Sequence, residues 1–439
     1  MWIGIDDTDS RFGGCTTYVA GNILSSLSEV GLQVIGFPRL VRLNPNIPWK
    51  TRGNGAVSFQ IGYGKGKSKK IGSINGKDIC SYPEMAKKQV TATRINDVKK
   101  LLFDTIHSLA RLSEEQTNPG IVLLPTQLDE SVYWNTVRRV MKKEEIISIV
   151  CQENGWFQEF KNGRGVIGAT ASIAWQGIHD STFELIAYRR KDRWGTERNI
   201  DVQTVKELDK QYPSTFDNYD WKHHHINILP NSPCPVLFGI RGDHAAKLFE
   251  CMNLVQSEGF DDWLIFSSNQ GTDDHLISAS IQNVQPFRSV ILTGMVEKKP
   301  CTIQGGHVIF SLRENSGYQI DCAAYEPTKE FRDIIRQLEL GDVVRVFGGV
   351  RAEPFTVNLE KIEILHLKEV WVKSENPVCP TCGKHMKSVG KKQGFRCKKC
   401  KTKADHAIMK KKERLIEESL YEVPVCARRH LSKPLKRLE

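Results

Sequence analysis

Three carboxylates stand within four positions near the start of the chain: Asp6, Asp7 and Asp9, in the run Gly4-Ile5-Asp6-Asp7-Thr8-Asp9-Ser10. Packing them together is repulsive unless a cation is present. Carboxylates at a strand end that hold Mg²⁺, with phosphate oxygens completing its coordination, are a recurrent arrangement for phosphoryl transfer. An acidic turn that caps the following helix accounts for the same residues.

Gly13-Gly14-Cys15-Thr16-Thr17 follows and leads into a helix. Glycines at Gly13 and Gly14 let backbone N–H groups approach a phosphate, and the hydroxyls of Thr16 and Thr17 are suited to bind metal or accept a phosphoryl group. The GxxxxGK[ST] spacing is absent, so this is not a P-loop. Counter-charges are available in Lys50 and Arg52, with Asn54, in the run WKTRGNG, and in Arg164 of GRGVIGA. A buried turn remains an alternative for either glycine-rich loop.

A second chemistry lies far downstream. Cys379-Pro-Thr-Cys382 and Cys397-Lys-Lys-Cys400 form two CxxC knuckles, each able to aim two thiolates at one centre. Together they complete a closed set of four thiolates for structural zinc, with no open position for water activation. The ribbon also carries Lys391, Lys392, Arg396, Lys398, Lys399 and Lys401, a basic surface fit for RNA phosphates. His223-His224-His225 is not read as a metal site, because consecutive strand residues point to opposite faces.

The elements that must hold these groups follow from the pattern. Residues 2–6 read as a buried strand, 16–30 as a helix closed by Gly31, and 34–43 and AVSFQI as further strands of an α/β unit. Tyr63–Lys77 reads as a solvated Lys/Gly loop without periodicity. Strands near 182–189, 223–229, 235–240 and 262–267, with helices near 201–210 and 243–256, give the βαββαβ order of a ferredoxin-like domain. Five strands after Pro286, with a helix at 330–338 between the third and fourth, match an OB-fold β-barrel. The expected fold is multidomain α+β: an N-terminal α/β domain (1–178), the ferredoxin-like domain (179–285), the OB-fold (286–373), the zinc ribbon (374–405) and a basic C-terminal tail (406–439).

Charge agrees with that division. Residues 374–439 carry 18 Lys and Arg against 7 Asp and Glu, a surplus of +11 that equals the net charge of the whole 439-residue chain. A neutral body with a basic end points to a catalytic part joined to a polyanion-binding part; a solvated lysine-rich tail is the plain alternative. The 12 cysteines are too few and too scattered for a disulfide scaffold. No apolar run approaches the ~20 residues that span a bilayer. The opening MWIGIDDTD has neither a basic leader nor an apolar signal core, so no membrane association and a cytoplasmic location are expected.

The combination of IDDTDS, GGCTTY and PWKTRGNGA is more specific than any one loop. With TNPG, GRGVIGA, ELIAYR, TFDNYDW, CPVLFGIRG, GGHVIF, GFRCKKC and RRHLSKPL, the chain resembles the archaeal tRNA-isoleucine 2-agmatinylcytidine synthetases over essentially its whole length. The resemblance implies a kinase-like N-terminal domain, ATP and agmatine as substrates, and isoleucine tRNA with a CAU anticodon as the partner. Agmatine would replace the 2-oxo group of the wobble cytidine, so that the tRNA reads AUA codons. It implies Asp6, Asp7 and Asp9 at Mg²⁺–ATP, with Thr16 (or Thr17) as a self-phosphorylated residue of CTTY. Phosphates would meet Lys50, Arg52, Arg164 and Arg241. Asp217 and Asp220 would hold the agmatine guanidinium, with an ordinary aromatic turn as the alternative. Lys398 and the terminal Arg428, Arg429, His430, Lys433 and Lys436 would touch RNA, with a disordered tail as the alternative for the terminal set. The enzyme is expected to act as a monomer. Two other readings stay open: an ATP-dependent RNA-modifying enzyme using a different amine, and a non-catalytic OB-fold and zinc-ribbon RNA-binding protein.

Overall fold

The first strand, Trp2–Asp6, is covered on both faces: Trp2 points into one core, Ile3 and Ile5 into another. Burial on both sides explains why it reads as a continuous apolar run rather than an alternating one. It lies antiparallel between Gly55–Gly62 and Gly120–Leu124, and its acidic end emerges at Asp6. Helices Thr16–Ser26 and Ala92–Leu109 cover one face of this sheet. Helices Ser131–Arg138, Lys143–Gln152 and Gly165–Ala174 cover the other. The computed structural model describes residues 1–391 and 393–438, so Lys392 of the ribbon's basic set lies outside the described residues.

Helix Gly165–Ala174 lies unusually close to the sheet. A Cβ at Gly120 would overlap the backbone of Gly165 and Val166, so only glycine admits the helix there. That contact sets the helix N-terminus beside the end of the first strand.

In the second unit, Thr182–Tyr188 pairs antiparallel with both Val236–Gly242 and Asp262–Ser268. Helices Val202–Gln211 and Ala245–Leu254 pack against these strands around a core that includes Leu208, Leu237, Phe238 and Leu248. The second strand of the sheet is Thr215–Phe216 rather than the expected 223–229. Asp217 has a left-handed φ of 57°, which breaks the strand after two residues. His225–Ile226 instead pairs with Tyr219–Asp220 in a separate hairpin.

The expected boundary at 178/179 is not a break in the sheet. Asp262–Ser268 pairs with Gln33–Arg42 and with Lys69–Ile74, so one eleven-stranded sheet runs through both units. Lys69–Ile74 falls inside the stretch expected to be a solvated loop. Ile71 and Ile74 are buried and a register shift separates Lys70 from Gly72, which hides the alternation in the sequence.

The five barrel strands are Ser289–Thr302, Val308–Arg313, Gln319–Ala324, Val343–Val350 and Thr356–His366, closed by pairing of the first with the fourth. Helix Phe331–Arg336 sits between the third and fourth, as expected. The ribbon has its own small core of Cys379, Met386, Phe395 and Cys397. Trp371–Glu375 and Ile408–Lys411 pair to form its stalk.

The C-terminal residues are not a tail. Leu420–Glu422 adds to the edge of barrel strand Thr356–His366, and the chain then returns to the large sheet. There Lys433 and Arg437 both meet Asp180, Arg437 also meets Asp243, and Lys436 donates to the carbonyl of Thr215. A charge count registers these cations but not the acids that lie about two hundred positions away in sequence. Among the described residues no helix is long and apolar enough to cross a membrane.

Candidate active site

A cavity of about 570 Å³ opens beside the end of the first strand. Its walls come from the acidic turn, the loop 44–55, the N-terminus of helix Gly165–Ala174, the inner strands of the second unit and residues 425–430. Asp6, Asp7, Asp9, Thr16, Thr17, Lys50, Arg52, Asn54 and Arg164 all line it, and so do Asp217, Arg241, Arg428 and Arg429. Gly13 and Gly14, with left-handed φ values of 142° and 74°, turn the chain behind Asp9 rather than lining the cavity. Asp220 is turned away from it, and Lys398 is exposed on the ribbon.

The carboxylates are held in three different ways. Asp6 accepts the Asp7 backbone N–H at 2.7 Å and lies over the first turn of helix Gly165–Ala174, where a Cβ at Gly168 would overlap its Oδ2. Asp7 accepts the Asn118 N–H at 3.2 Å. Asp9 accepts Arg52 Nε at 2.6 Å and the Thr51 hydroxyl at 2.9 Å. Burial raises the Asp6 carboxyl to about 7, with the Asp9 charge adding to the rise. Burial, then the charges of Asp6 and Asp9, raise Asp7 to about 8. Carboxyls whose ionisation is opposed by burial and by each other's charge are a donor set that a divalent cation would relieve, so the residues present fit Mg²⁺.

Arg52 and Arg164 lie beside this set, while Lys50, in the same lining, lies near Arg429 and Glu360. Arg52 also donates to the Gly14 carbonyl and to Ser232, tying the acidic turn to the second unit. Arg164 stacks over Trp49, 4.9 Å from the ring centroid. Lys50 is lowered to about 8 by burial and by the nearby charge of Arg429. Thr16 is buried, with its hydroxyl 3.1 Å from that of Thr8, and Thr17 lies 3.0 Å from Cys15 Sγ.

Among the lining residues from the second unit and the C-terminal segment, the structure departs from a set of free ligands. Asp217 accepts Arg428, whose other arm meets Glu422, and the Arg428 side chain is 5% exposed. Arg429 donates to Asn46 at 2.7 Å and lies 3.2 Å from Glu360. Both arginines are thus engaged within the protein. Arg241 pairs with Glu184 at 3.2 Å.

Glu184 itself was not singled out by sequence. It is buried between Arg42 and Arg241, and it is held ionised against its burial by those two guanidinium charges. A lone carboxylate in the apolar strand TFELIAY was the available signal. Arg42 Nε is buried without a hydrogen-bond partner among the described residues, and His430 stands beside Arg42 and Arg241, whose charges, with burial, push its pKa well down. An arginine-lined pocket opposite a cluster of carboxylates is arranged to receive an anion bridged by a cation.

The ribbon cysteines fit zinc equally well. The four Sγ atoms of Cys379, Cys382, Cys397 and Cys400 all lie within 4.8 Å of one another, with no position left for a substrate.

Family models match the chain in four consecutive parts: a TiaS TCKD domain over 2–161, a TiaS FLD domain over 163–275, an OB-fold nucleic acid binding domain over 290–368 and a TiaS C-terminal zinc ribbon domain over 376–416. The chain is 42% identical over 447 residues to the isoleucine-tRNA 2-agmatinylcytidine synthetase TiaS of Archaeoglobus fulgidus, covering 100% of this chain and 97% of that one. The Methanocaldococcus jannaschii protein of the same description is 41% identical over 455 residues, covering 100% and 99%. A solved complex of TiaS with isoleucine tRNA and ATP superposes with a TM-score of 0.85 at 41% identity, covering 100% of this chain and 97% of that one. A complex of TiaS with isoleucine tRNA, AMPCPP and agmatine gives 0.81 at 38% identity, covering 99% and 96%.

Proposed function

The chain belongs to the isoleucine-tRNA 2-agmatinylcytidine synthetase family, and from that membership we infer how its cavity joins agmatine to a cytidine of isoleucine tRNA at the expense of ATP. The observation that carries the assignment is the meeting of Asp6, Asp7 and Asp9 with Lys50, Arg52 and Arg164 in one cavity whose far wall holds Asp217.

The 2-oxo group of cytidine is a poor leaving group, so it must first be esterified by a phosphoryl-type group from ATP. The primary amine of agmatine then attacks C2, the C2–O bond breaks, the phosphate departs with the oxygen, and the nitrogen loses a proton. Asp6, Asp7 and Asp9 would hold Mg²⁺, which supplies charge neutralisation at the transferring phosphate. Lys50, Arg52 and Arg164 orient the phosphate oxygens, and Thr16 lies on the same wall as the acceptor for self-phosphorylation. Asp217 already binds one guanidinium, that of Arg428, and the same planar recognition suits agmatine.

The target base must leave its stack to bring its C2 into the pocket. The barrel and the basic ribbon, whose Lys398 and Lys399 are exposed, grip the tRNA, and the cytidine is the wobble position of a CAU anticodon. The strand order of the second unit, with the fourth strand beside the first and the third beside the second, supports a ferredoxin-like reading. The carboxylate and cation set supports a kinase-like reading of the first.

Purified protein incubated with ATP, Mg²⁺, labelled agmatine and isoleucine tRNA tests this, with mass spectrometry of the digested nucleosides. The expected product is a cytidine heavier by agmatine minus water, absent without ATP and lost in Asp7→Ala. ATP consumption without label in the tRNA would overturn the amine. Retention of tRNA binding with neither activity would overturn catalysis.

A further inference from the structure

His223 was set aside as a ligand because neighbouring strand residues diverge, yet it does not lie in a strand. Asp220 Oδ1 accepts the backbone N–H groups of Lys222 and His223, and that turn folds the His223 ring back onto the same carboxylate. Nδ1 of His223 lies 3.0 Å from Asp220 Oδ1, and Nε2 lies 2.9 Å from Glu330 Oε2. Cys426 closes the group from the returning C-terminal segment, its own N–H donating to Asp220 Oδ2 at 3.3 Å. One ligand atom each from Asp220, His223 and Cys426 lies within 4.8 Å of the others.

The ring's two neighbours decide what this cluster is built for. Carboxylates only accept, and a neutral imidazole has one N–H to give. One nitrogen must therefore be a second donor, or turn its lone pair to a cation. The second arrangement is the one metal-binding histidines adopt: one nitrogen ligates while the other donates its N–H to a carboxylate. Glu330 is placed to take that N–H, and Lys222 Nζ, 3.0 Å from Glu330, holds it in turn. Nδ1 then faces Asp220 and the Cys426 thiol.

We propose that Asp220, His223 and Cys426 bind a transition-metal ion of the zinc class, separate from the ribbon zinc. A mixed thiolate, imidazole and carboxylate set selects such an ion over Mg²⁺ or Ca²⁺, which take oxygen ligands. Three protein ligands leave a fourth position for water or a bound group. The ligands come from the hairpin of the second unit and from the C-terminal segment, and Glu330 comes from the N-terminal cap of the barrel helix. The ion thus joins three parts of the molecule beside the cavity, whose lining Cys426 shares with Asp217 and Arg428.

Zinc counting on the full-length protein, loaded with zinc and freed of excess, tests this by elemental mass spectrometry. The expected content is about two ions per chain in the wild type and about one in Cys426→Ala, in His223→Gln and in the ribbon variant Cys397→Ser. His223→Gln keeps an amide between Asp220 and Glu330, so it reports on the metal even where loss of Cys426 impairs folding. About one ion in the wild type overturns the proposal. A second ion retained in His223→Gln or Cys426→Ala overturns it as well.

Discussion

Arg52 holds Asp9 through a 2.6 Å contact from Nε to Oδ2, while its Nη2 donates to the carbonyl of Gly14. One guanidinium therefore fixes the third carboxylate and the glycine turn that precedes Thr16. Arg52→Lys keeps the charge but loses the fork that makes both contacts. Agmatine transfer is expected to fall roughly 100-fold, with unfolding free energy lowered by about 1–3 kcal/mol because the pair is mostly buried and two further hydrogen bonds of Arg52 are lost. Steady-state kinetics beside a urea titration check this. An unchanged rate removes Arg52 from the site.

Gly168 leaves the space that Asp6 Oδ2 occupies. Gly168→Ala is expected to displace that carboxylate, lowering the rate by at least about tenfold and stability by about 1–3 kcal/mol. Direct titration of Mg²⁺ with ATP present should show weaker metal binding than in the wild type.

Lys50 gives the pH signature. Burial, then the charge of Arg429, lower it to about 8, so above that pH the free protein carries it neutral and must take up a proton to grip a phosphate. Asp6 and Asp7 ionise over the same range and would strengthen Mg²⁺ binding, so the test omits Mg²⁺. Their charge and the neutralisation of Lys50 then both oppose ATP, and affinity is expected to fall at least about tenfold between pH 7 and pH 9. Lys50→Arg, which stays charged, should flatten the profile. Calorimetric titration across that range in two buffers of different ionisation enthalpy reads both the affinity and the proton uptake.

Arg428 sits between Asp217 and Glu422. Removing it leaves two carboxylates without their cation, and Arg428→Ala should destabilise the fold by about 3–5 kcal/mol. Adding Asp217→Ala should restore part of that loss. A double-mutant cycle in denaturant that shows strict additivity would contradict the pairing.

The ribbon core is little more than its cysteines with Met386 and Phe395, so it has no fold without metal. Cys397→Ser is expected to weaken tRNA binding at least about tenfold and to leave ATP binding within about twofold, since the cavity lies in the large sheet. Filter binding of labelled tRNA and nucleotide titration separate the two.

The turn of Asp6, Asp7 and Asp9, the CxxC pairs and the barrel were legible because each is local. A strand end, a knuckle and a hairpin carry their signals within a few residues. The second unit was legible in its helices and its longer strands but not in Thr215–Phe216, because a strand of two residues has no period. Glu184 was missed, and His430 was expected only among the terminal RNA contacts, for a different reason. Their roles depend on Arg42 and Arg241, which the sheet brings to them from far away in sequence. The basic C-terminus misled in the same way, since its partners Asp180, Asp217 and Asp243 are remote acids that no local window contains.

Residues 425–430 complete a cavity whose floor is laid down by residues 6–17. During synthesis the acidic turn emerges from the ribosome long before the segment that closes the pocket is made. The site is therefore unfinished until residues 425–430 have been made, and a chain cut short before them would lack a wall of the cavity together with Arg428, the cation between Asp217 and Glu422. Such a product would fail in two ways at once, less stable for want of that cation and unable to modify tRNA, and the proteases that cull marginal folds would meet it first.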